Sequence, residues 1–136
     1  MASRVSNASN GSSDEDLAIC DVISVLFPAH DPGGHEQEGY RPAVIVGQPE
    51  RVGTPRFPLF IIAPMTTDRG QEWAEQSSGL YPRFRKGTAN LRASSICLVD
   101  QVRALGPERI RGYRGTLGEE EYQPIREGLQ RMIGTS

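Results

Sequence analysis

Three polar residues stand where apolar, strand-like segments begin or end, and their side chains are of the kinds that bind or activate a phosphate. Arg41 directly precedes Pro42 and the apolar run Ala43–Val46. The proline favours extended backbone at Arg41 and suits the first residue of a strand, because it donates no ladder hydrogen bond. Thr66 follows the most apolar run of the chain, and Asp100 follows another. If the strands bring these junctions to one edge, a guanidinium, a hydroxyl and a carboxylate predict an anion-binding or acid–base site.

Each of these residues also has a simpler interpretation. Arg41 is then a surface arginine at a strand entrance, and Asp100 caps a turn. Glu36 lies in the glycine-rich loop before Arg41, together with the histidines His30 and His35. Because both histidines share one loop, an acid–base pair on opposite sides of a substrate is hard to build from them. The chain contains no phosphate-cradling GxxxxGK, no HExxH and no nucleophile elbow.

The charge of the chain is unevenly distributed. Its net charge is −2, but residues 51–115 carry 11 bases and 5 acids, whereas residues 1–50 carry 8 acids and 2 arginines. Of the 15 cations, 14 are arginines, whose planar fork binds phosphate bidentately. A basic body of this kind is compatible with nucleic-acid binding and also with an ordinary solvated surface.

Short segments rich in β-branched and aromatic residues alternate with Gly- and Pro-rich turns, which predicts a mainly β chain. Proline and glycine punctuate the long loop Pro28–Gly39, and a loop of this length is usually functional or mobile. The predicted strands are Leu17–Phe27, Tyr40–Gln48, Leu59–Met65, Leu80–Arg85, Ala93–Leu105 and Ile110–Leu117.

The C-terminal segment has the periodicity of an amphipathic helix over Glu119–Ile133. Gly134 is a suitable stop, whereas Pro124 predicts a later start or a kink. Gln71–Ser78 is predicted as a loop or helical turn, and a short helical turn is predicted from Pro107 through Arg109. Many strands with few helices favour a small barrel or a strongly bent sheet.

The length of 136 residues predicts one domain. Residues 1–16 are poor in apolar side chains, so we interpret them as a disordered extension before a domain spanning 17–136. No apolar run has the length of a membrane span or a signal peptide. Cys20 and Cys97 lie on separate apolar segments without metal-ligand spacing, which favours two buried, reduced thiols and a cytoplasmic protein.

Several ordered motifs resemble the MazF/PemK family of toxin endoribonucleases, over residues 17–134. Any one of them is weak, but their order and spacing together are specific. The motifs are Asp21-Val22 at the first strand, Glu36-Gln37 followed by Gly39–Val44, Pro64–Thr67, Leu98–Arg103, and Arg114–Leu117 running on to Ile133-Gly134.

The resemblance implies a small SH3-like barrel of the CcdB/PemK type, usually a homodimer, with short helices. It implies sequence-specific cleavage of single-stranded RNA by attack of the ribose 2′-OH on the adjacent phosphate, without a metal or another cofactor. It also implies a MazE-like antitoxin whose acidic segment lies across a basic groove. No membrane partner is implied.

The resemblance also suggests roles for individual residues. Arg41 would stabilise charge on the phosphorane, Thr66 would bind a phosphate oxygen, and Glu36 or Asp100 would act as the base or orient it. The residues expected to contact the RNA are His35, Gln37, Tyr40, Thr67, Gln101 and Arg103.

Two features depart from the family pattern. Cys20 stands where the family usually has glycine before Asp21, and we expect this to alter packing only. Leu98 stands where the PemK branch has an arginine, so the role of Asp100 stays open. Two other functions remain as alternatives: a non-enzymatic gyrase inhibitor of the CcdB type, whose C-terminal aromatic motif is absent here, and a catalytically inactive RNA-binding barrel.

Overall fold

An antiparallel sheet forms most of the computed structural model, which describes residues 16–27 and 40–135. In that part of the chain the sheet has seven strands, in the order β4-β5-β3-β2-β1-β7, with β6 paired to β3. The strands are β1 Asp21–Val25, β2 Arg41–Gly47, β3 Phe60–Thr67, β4 Arg83–Phe84, β5 Ser95–Cys97, β6 Arg103–Leu105 and β7 Ile110–Thr116. The helices are α1 Glu72–Gln76 and α2 Glu119–Met132, and 3₁₀ turns occur at Pro49–Arg51, Thr88–Asn90, Val99–Gln101 and Pro107–Arg109.

Some sequence predictions fall outside the described residues. They concern the loop Pro28–Gly39 with Glu36, His35 and Gln37, and the N-terminal extension except for Asp16. The helical turn predicted from Pro107 through Arg109 is confirmed.

The long strand β3 organises the sheet because it pairs along both edges. One edge pairs with β2, for example Ala43 with Pro64. The other edge pairs with β6 at Phe60–Ile62 and with β5 at Met65–Thr67. The prediction of one strand over Ala93–Leu105 is therefore wrong. That segment follows a single edge of β3 in two short strands, and the 3₁₀ turn between them takes the chain from one to the other.

Alternate residues of the central strands enter two different cores, as the two-residue period of a strand requires. On one face, Val22 and Val44 join a cluster that includes Tyr122 and Ile125 of α2. On the other face, Ile23 and Ile45 join a second cluster that includes Ile62 and Leu105. Each fully buried Ile or Val stabilises the fold by roughly 1.5–3 kcal/mol. The predicted mainly β fold, a small barrel with a C-terminal amphipathic helix, is confirmed.

Helix α2 begins where the sequence predicted. The backbone N–H of Gly118 donates to the Glu121 carboxylate at 2.7 Å, which satisfies a donor at the helix start. Pro124 lies inside the helix, so the later start that it suggested is wrong. Gly134 follows the helix with φ +88°, the left-handed conformation that commonly ends a helix.

The backbone at Cys20 has φ +89°. In this conformation a Cβ costs roughly 1–2 kcal/mol, so the expectation that cysteine alters packing only is wrong. The conformation is held by the Cys20 N–H donating to the Ile45 carbonyl and by the Leu117 N–H donating to the Cys20 carbonyl, both at 2.9 Å. The buried Asp21 follows and accepts from the Thr116 hydroxyl at 2.7 Å, which joins β1 to β7.

Cys97 belongs to the cluster that includes Tyr122 and Ile125 of α2, and it is fully buried. Burial raises the pKa of its thiol to about 12, because a thiolate would lose its hydration there. Within residues 16–27 and 40–135, no helix is long and apolar enough to cross a membrane.

Candidate active site

A cleft of about 660 Å³ lies where the N-terminal end of β2 meets the C-terminal end of β3. Arg41, Thr66 and Thr67 line it, together with Tyr40, which is half exposed. Arg41 and Thr66 each lie two residues beyond the strand pair Ala43–Pro64, so the antiparallel register carries them to the same edge. Four residues that the sequence singled out, Arg41, Thr66, Thr67 and Tyr40, are thus brought to one cleft.

Three further arginines line the same cleft, and no motif in the sequence assigned them to the site. They are Arg69, after β3, Arg92, before β5, and Arg114, on β7. The excess of arginine in residues 51–115 indicated basic character but gave no information on which arginines converge. Ser95 also lines the cleft and is buried, with its hydroxyl donating to the Ala93 carbonyl at 2.8 Å.

The loop that carries Arg92 is fixed against β7. The Asn90 side-chain amide donates to the Arg114 carbonyl at 2.6 Å. Ala89 and Asn90 have φ +47° and +63°, and a Cβ on Gly115 would lie 2.8 Å from the Ala89 carbonyl carbon. Glycine therefore allows the two backbones to approach, and this approach places Arg92 beside Arg114.

The cleft holds positive charge that no described carboxylate neutralises at short range. In the described part of the chain, the ion pairs within 4 Å belong to Arg83, with Asp68 at 3.3 Å and Glu75 at 3.5 Å. Burial and the nearby charge of Arg92 lower the pKa of Arg114. The Arg114 Nε donates to the Ser24 hydroxyl at 2.9 Å, a neutral partner that orients the guanidinium without cancelling its charge.

An aromatic ring links Arg41 to Arg103. The guanidinium carbons of Arg41 and Arg103 lie 5.5 Å and 5.6 Å from the centre of the Phe27 ring, within cation–π range. Arg103 does not line the cleft. Phe27 therefore restricts the orientation of Arg41 from outside the cleft, and Arg103 shares that contact.

Asp100 and Gln101 lie in the 3₁₀ turn after β5 and do not line the cleft. The Tyr81 hydroxyl donates to the Asp100 carboxylate at 2.7 Å. Trp73 packs edge-on against Tyr81, with 4.9 Å between the ring centres. This arrangement satisfies the Asp100 carboxylate through a local partner.

Within the described residues, the cleft lining contains no carboxylate and no imidazole, and no group of three or more His, Cys, Asp or Glu could hold a metal ion. Glu36, His35 and Gln37 are outside the described part.

The lining therefore combines guanidinium groups with the hydroxyls of Thr66 and Thr67. Guanidinium groups bind phosphate oxygens bidentately, and their charge offsets that of a phosphorane. An acid or base would have to come from outside the described lining. The geometry suits an anionic, phosphate-bearing ligand.

Residues 20–133 match the model of a protein family described as PemK-like, MazF-like toxins of type II toxin–antitoxin systems. No curated protein matches the chain in sequence.

Solved structures have the same fold. An endoribonuclease from a mycobacterial species, solved with its cognate antitoxin, is 16% identical with a TM-score of 0.58, over 87% of this chain and 95% of that chain. A MazE–MazF structure from Deinococcus radiodurans is 20% identical with a TM-score of 0.59, over 86% of this chain and 95% of that chain. MazF from the same organism is 20% identical with a TM-score of 0.58, over 85% and 94% of the two chains.

Proposed function

Because the chain belongs to the PemK-like, MazF-like toxin family of type II toxin–antitoxin systems, we propose that it is an endoribonuclease that cuts single-stranded RNA at specific sequences. The observation that carries this proposal is the cleft in which Arg41 and Thr66 stand together with further arginines. A solved structure with the same fold is named as an endoribonuclease, and this name supports RNA cleavage as the reaction.

The proposed reaction is attack of the ribose 2′-OH on the adjacent phosphate. The O2′–P bond forms and the P–O5′ bond breaks, which leaves a 2′,3′-cyclic phosphate and a free 5′-hydroxyl. One proton leaves the 2′-OH and one is delivered to O5′. Since the nucleophile belongs to the substrate, no metal-activated water is required, and no cofactor is proposed.

Arg41 would donate to the non-bridging phosphate oxygens, where charge increases as the phosphorane forms. One preorganised donor of this type is worth about 3–4 kcal/mol in the transition state. The contact between Arg41 and Phe27 supports this role, because it limits the conformations of a long side chain before substrate binds. Thr66 would donate its hydroxyl to the same phosphate.

Glu36 is our preferred base for the 2′-OH. The support for this choice is that Asp100 does not line the cleft and already accepts from Tyr81. Asp100 remains the alternative base. We propose that RNA is also contacted by His35, Gln37, Tyr40, Thr67, Gln101 and Arg103.

We further propose a homodimer that is inhibited by a MazE-like antitoxin. The support for the antitoxin is that neighbouring structures are named as toxin–antitoxin complexes. An acidic antitoxin segment would be attracted to the arginine-rich cleft by the same charge that attracts RNA.

The test uses purified protein and an end-labelled single-stranded RNA of mixed sequence, in excess chelator. Wild type should give discrete cuts with 2′,3′-cyclic phosphate ends, and a 2′-deoxy substitution at the cut site should prevent cutting. Arg41→Ala should slow the cuts by about 10²–10³-fold.

Arg51→Ala is the matched control, because Arg51 lies beyond the opposite end of β2 from Arg41, roughly 20 Å along the strand. Its cleavage rate should match wild type. Intact RNA with the wild-type protein would exclude the nuclease, and inhibition of gyrase would then favour the CcdB-type alternative. Unchanged cutting by Arg41→Ala would remove Arg41 from the mechanism.

A further inference from the structure

Arg92 and Arg114 are two cations in the cleft that Arg41 and Thr66 also line. They come from separate elements, the loop before β5 and the strand β7. The nearby charge of Arg92 contributes to the lowered pKa of Arg114, so the two guanidinium groups interact repulsively. The fold thus places two like charges together, with no carboxylate among the described residues within ion-pair distance of either.

The backbone that holds this pair is strained. Two consecutive non-glycine residues, Ala89 and Asn90, take left-handed conformations, which cost about 1–3 kcal/mol each. The Asn90 amide bond to the Arg114 carbonyl, and the tight approach at Gly115, fasten this loop to the strand that carries Arg114. Strain and like-charge repulsion at one place are explained if the place binds an anion.

The two arginines differ in exposure in a way that suits binding. Arg114 is half-buried and held by the Ser24 hydroxyl, whereas Arg92 is exposed at the cleft. Arg114 therefore supplies a preoriented donor, and Arg92 has the freedom to close onto a ligand from solvent. Guanidinium forks recognise phosphate in this manner.

We propose that Arg92 and Arg114 form a second phosphate subsite, which binds the RNA backbone phosphate adjacent to the one that is cut. The proposal rests on the proposed function, since it assigns the first phosphate to Arg41 and Thr66. The subsite binds a phosphate that does not react. It contributes affinity and register, while Arg41 contributes to the chemical step.

Binding of uncleavable 2′-deoxy oligonucleotides tests the subsite without depending on catalysis. A dinucleotide with one bridging phosphate is compared with a trinucleotide that has two. Wild type should bind the trinucleotide more tightly than the dinucleotide. In Arg92→Gln or Arg114→Gln, the ratio of these two affinities should fall roughly 10-fold to 100-fold. The slope of log affinity against log salt should fall by about 0.7 for the lost phosphate contact.

Two further variants separate this role from a general change in charge or stability. Arg51→Gln removes the same charge away from the cleft and should retain the trinucleotide gain. Arg114→Lys keeps the charge without the fork and should recover only part of it. On cleavable RNA, Arg92→Gln should raise KM with little change in kcat, as expected when an interaction is equal in the ground and transition states.

The outcomes distinguish the subsite from the reaction. If folded Arg92→Gln and Arg114→Gln proteins keep the full trinucleotide gain, the subsite is excluded, whether or not RNA is cut. If the trinucleotide gain depends on these arginines but wild type cuts no RNA, the phosphate subsite is supported and the proposed endoribonuclease activity is excluded. A fall in kcat without a rise in KM would contradict a purely binding role.

Discussion

The cleft around Arg41 and the corner formed by Trp73, Tyr81 and Asp100 look alike in sequence and differ in the structure. In both, a polar residue stands next to an apolar strand. At the corner, Asp100 accepts from Tyr81, which packs on Trp73. In the cleft, Arg41 is joined by further arginines and by no described carboxylate within ion-pair distance.

The difference concerns how the charge is satisfied. A carboxylate with a local hydroxyl donor contributes to the fold, and a mutation there removes one hydrogen bond. A group of arginines with no described carboxylate within ion-pair distance is repulsive by itself, so the free energy of the site improves when an anion enters. Such groups are candidates for function because the fold alone does not explain them.

The largest expected effect separates the two regions by activity. Arg41→Ala should lower kcat for RNA cleavage by about 10²–10³-fold, the loss typical of one preorganised donor. Asp100→Asn should change it by no more than a few-fold, since Asp100 lies outside the cleft. Single-turnover cleavage with both variants checks this. A loss of similar size in Asp100→Asn would make Asp100 part of the catalytic machinery and reverse the comparison.

The second effect concerns the scaffold of the cleft. Gly115→Ala should destabilise the protein by about 1–3 kcal/mol, because the new Cβ would meet the Ala89 backbone at 2.8 Å. At Gly112, on the same strand, a Cβ would meet no heavy atom within 4 Å. Gly112→Ala is therefore the control, and it should be neutral or slightly stabilising. Urea unfolding of both variants measures the difference. Equal stabilities would show that the Ala89 loop yields easily.

A third effect compares strain at the cleft with strain elsewhere. Cys20 is left-handed like Ala89 and Asn90, but it pairs with the Ile45 end of β2, away from Arg41. Cys20→Gly should be more stable than Cys20→Ala by about 1 kcal/mol, because only glycine relieves the backbone conformation. Thermal unfolding measures this, and RNA cleavage should be the same in both variants. A more stable alanine variant would show that the left-handed conformation relaxes at little cost.

The smallest effect is a pH dependence at the corner. The hydrogen bond to Asp100, with burial and the charge of Asp100, raises the pKa of Tyr81 above its usual 10.0. The bond needs the phenol proton, so its contribution to stability is complete below pH 10 and is lost as the pH rises through the higher pKa. Tyrosinate formation should quench Trp73, the single tryptophan, with a midpoint above 10.

Asp100→Asn should lower the midpoint of this quenching toward 10, since the amide carries no charge. Tyr81→Phe is the control and should remove the transition from the Trp73 signal. An unchanged midpoint in Asp100→Asn would contradict the contact between Tyr81 and Asp100.

Much of the fold could be predicted because its determinants are local. The apolar runs around Val44 and Ile62 gave the central strands, and the periodicity from Glu119 gave α2, with Gly134 at its end. The segment 93–105 was predicted as one strand, because periodicity does not report which part of a neighbouring strand each residue will pair with. That choice depends on β3, whose paired residues lie 28 to 45 positions earlier in the chain.

The candidate site could be predicted in part. Arg41 and Thr66 were found at strand ends, and their register on adjacent strands brings them to one cleft. Arg92 and Arg114 were missed, since nothing near either of them in sequence distinguishes it from the other arginines of the basic body. Their meeting depends on the left-handed turn at Ala89 and Asn90 and on the close approach at Gly115.

By itself, the sequence determined the mainly β architecture and the family, and it indicated Arg41 and Thr66 as candidate site residues. Apolar periodicity and motif spacing, which carry this information, are properties of short segments. The tertiary structure decided which charges share a space. It paired Asp100 with Tyr81, placed Arg92 beside Arg114, and brought Arg41 and Arg103 to the ring of Phe27. Electrostatic and hydrogen-bond energies depend on distances through space, and those distances exist only once strands far apart in the chain have paired.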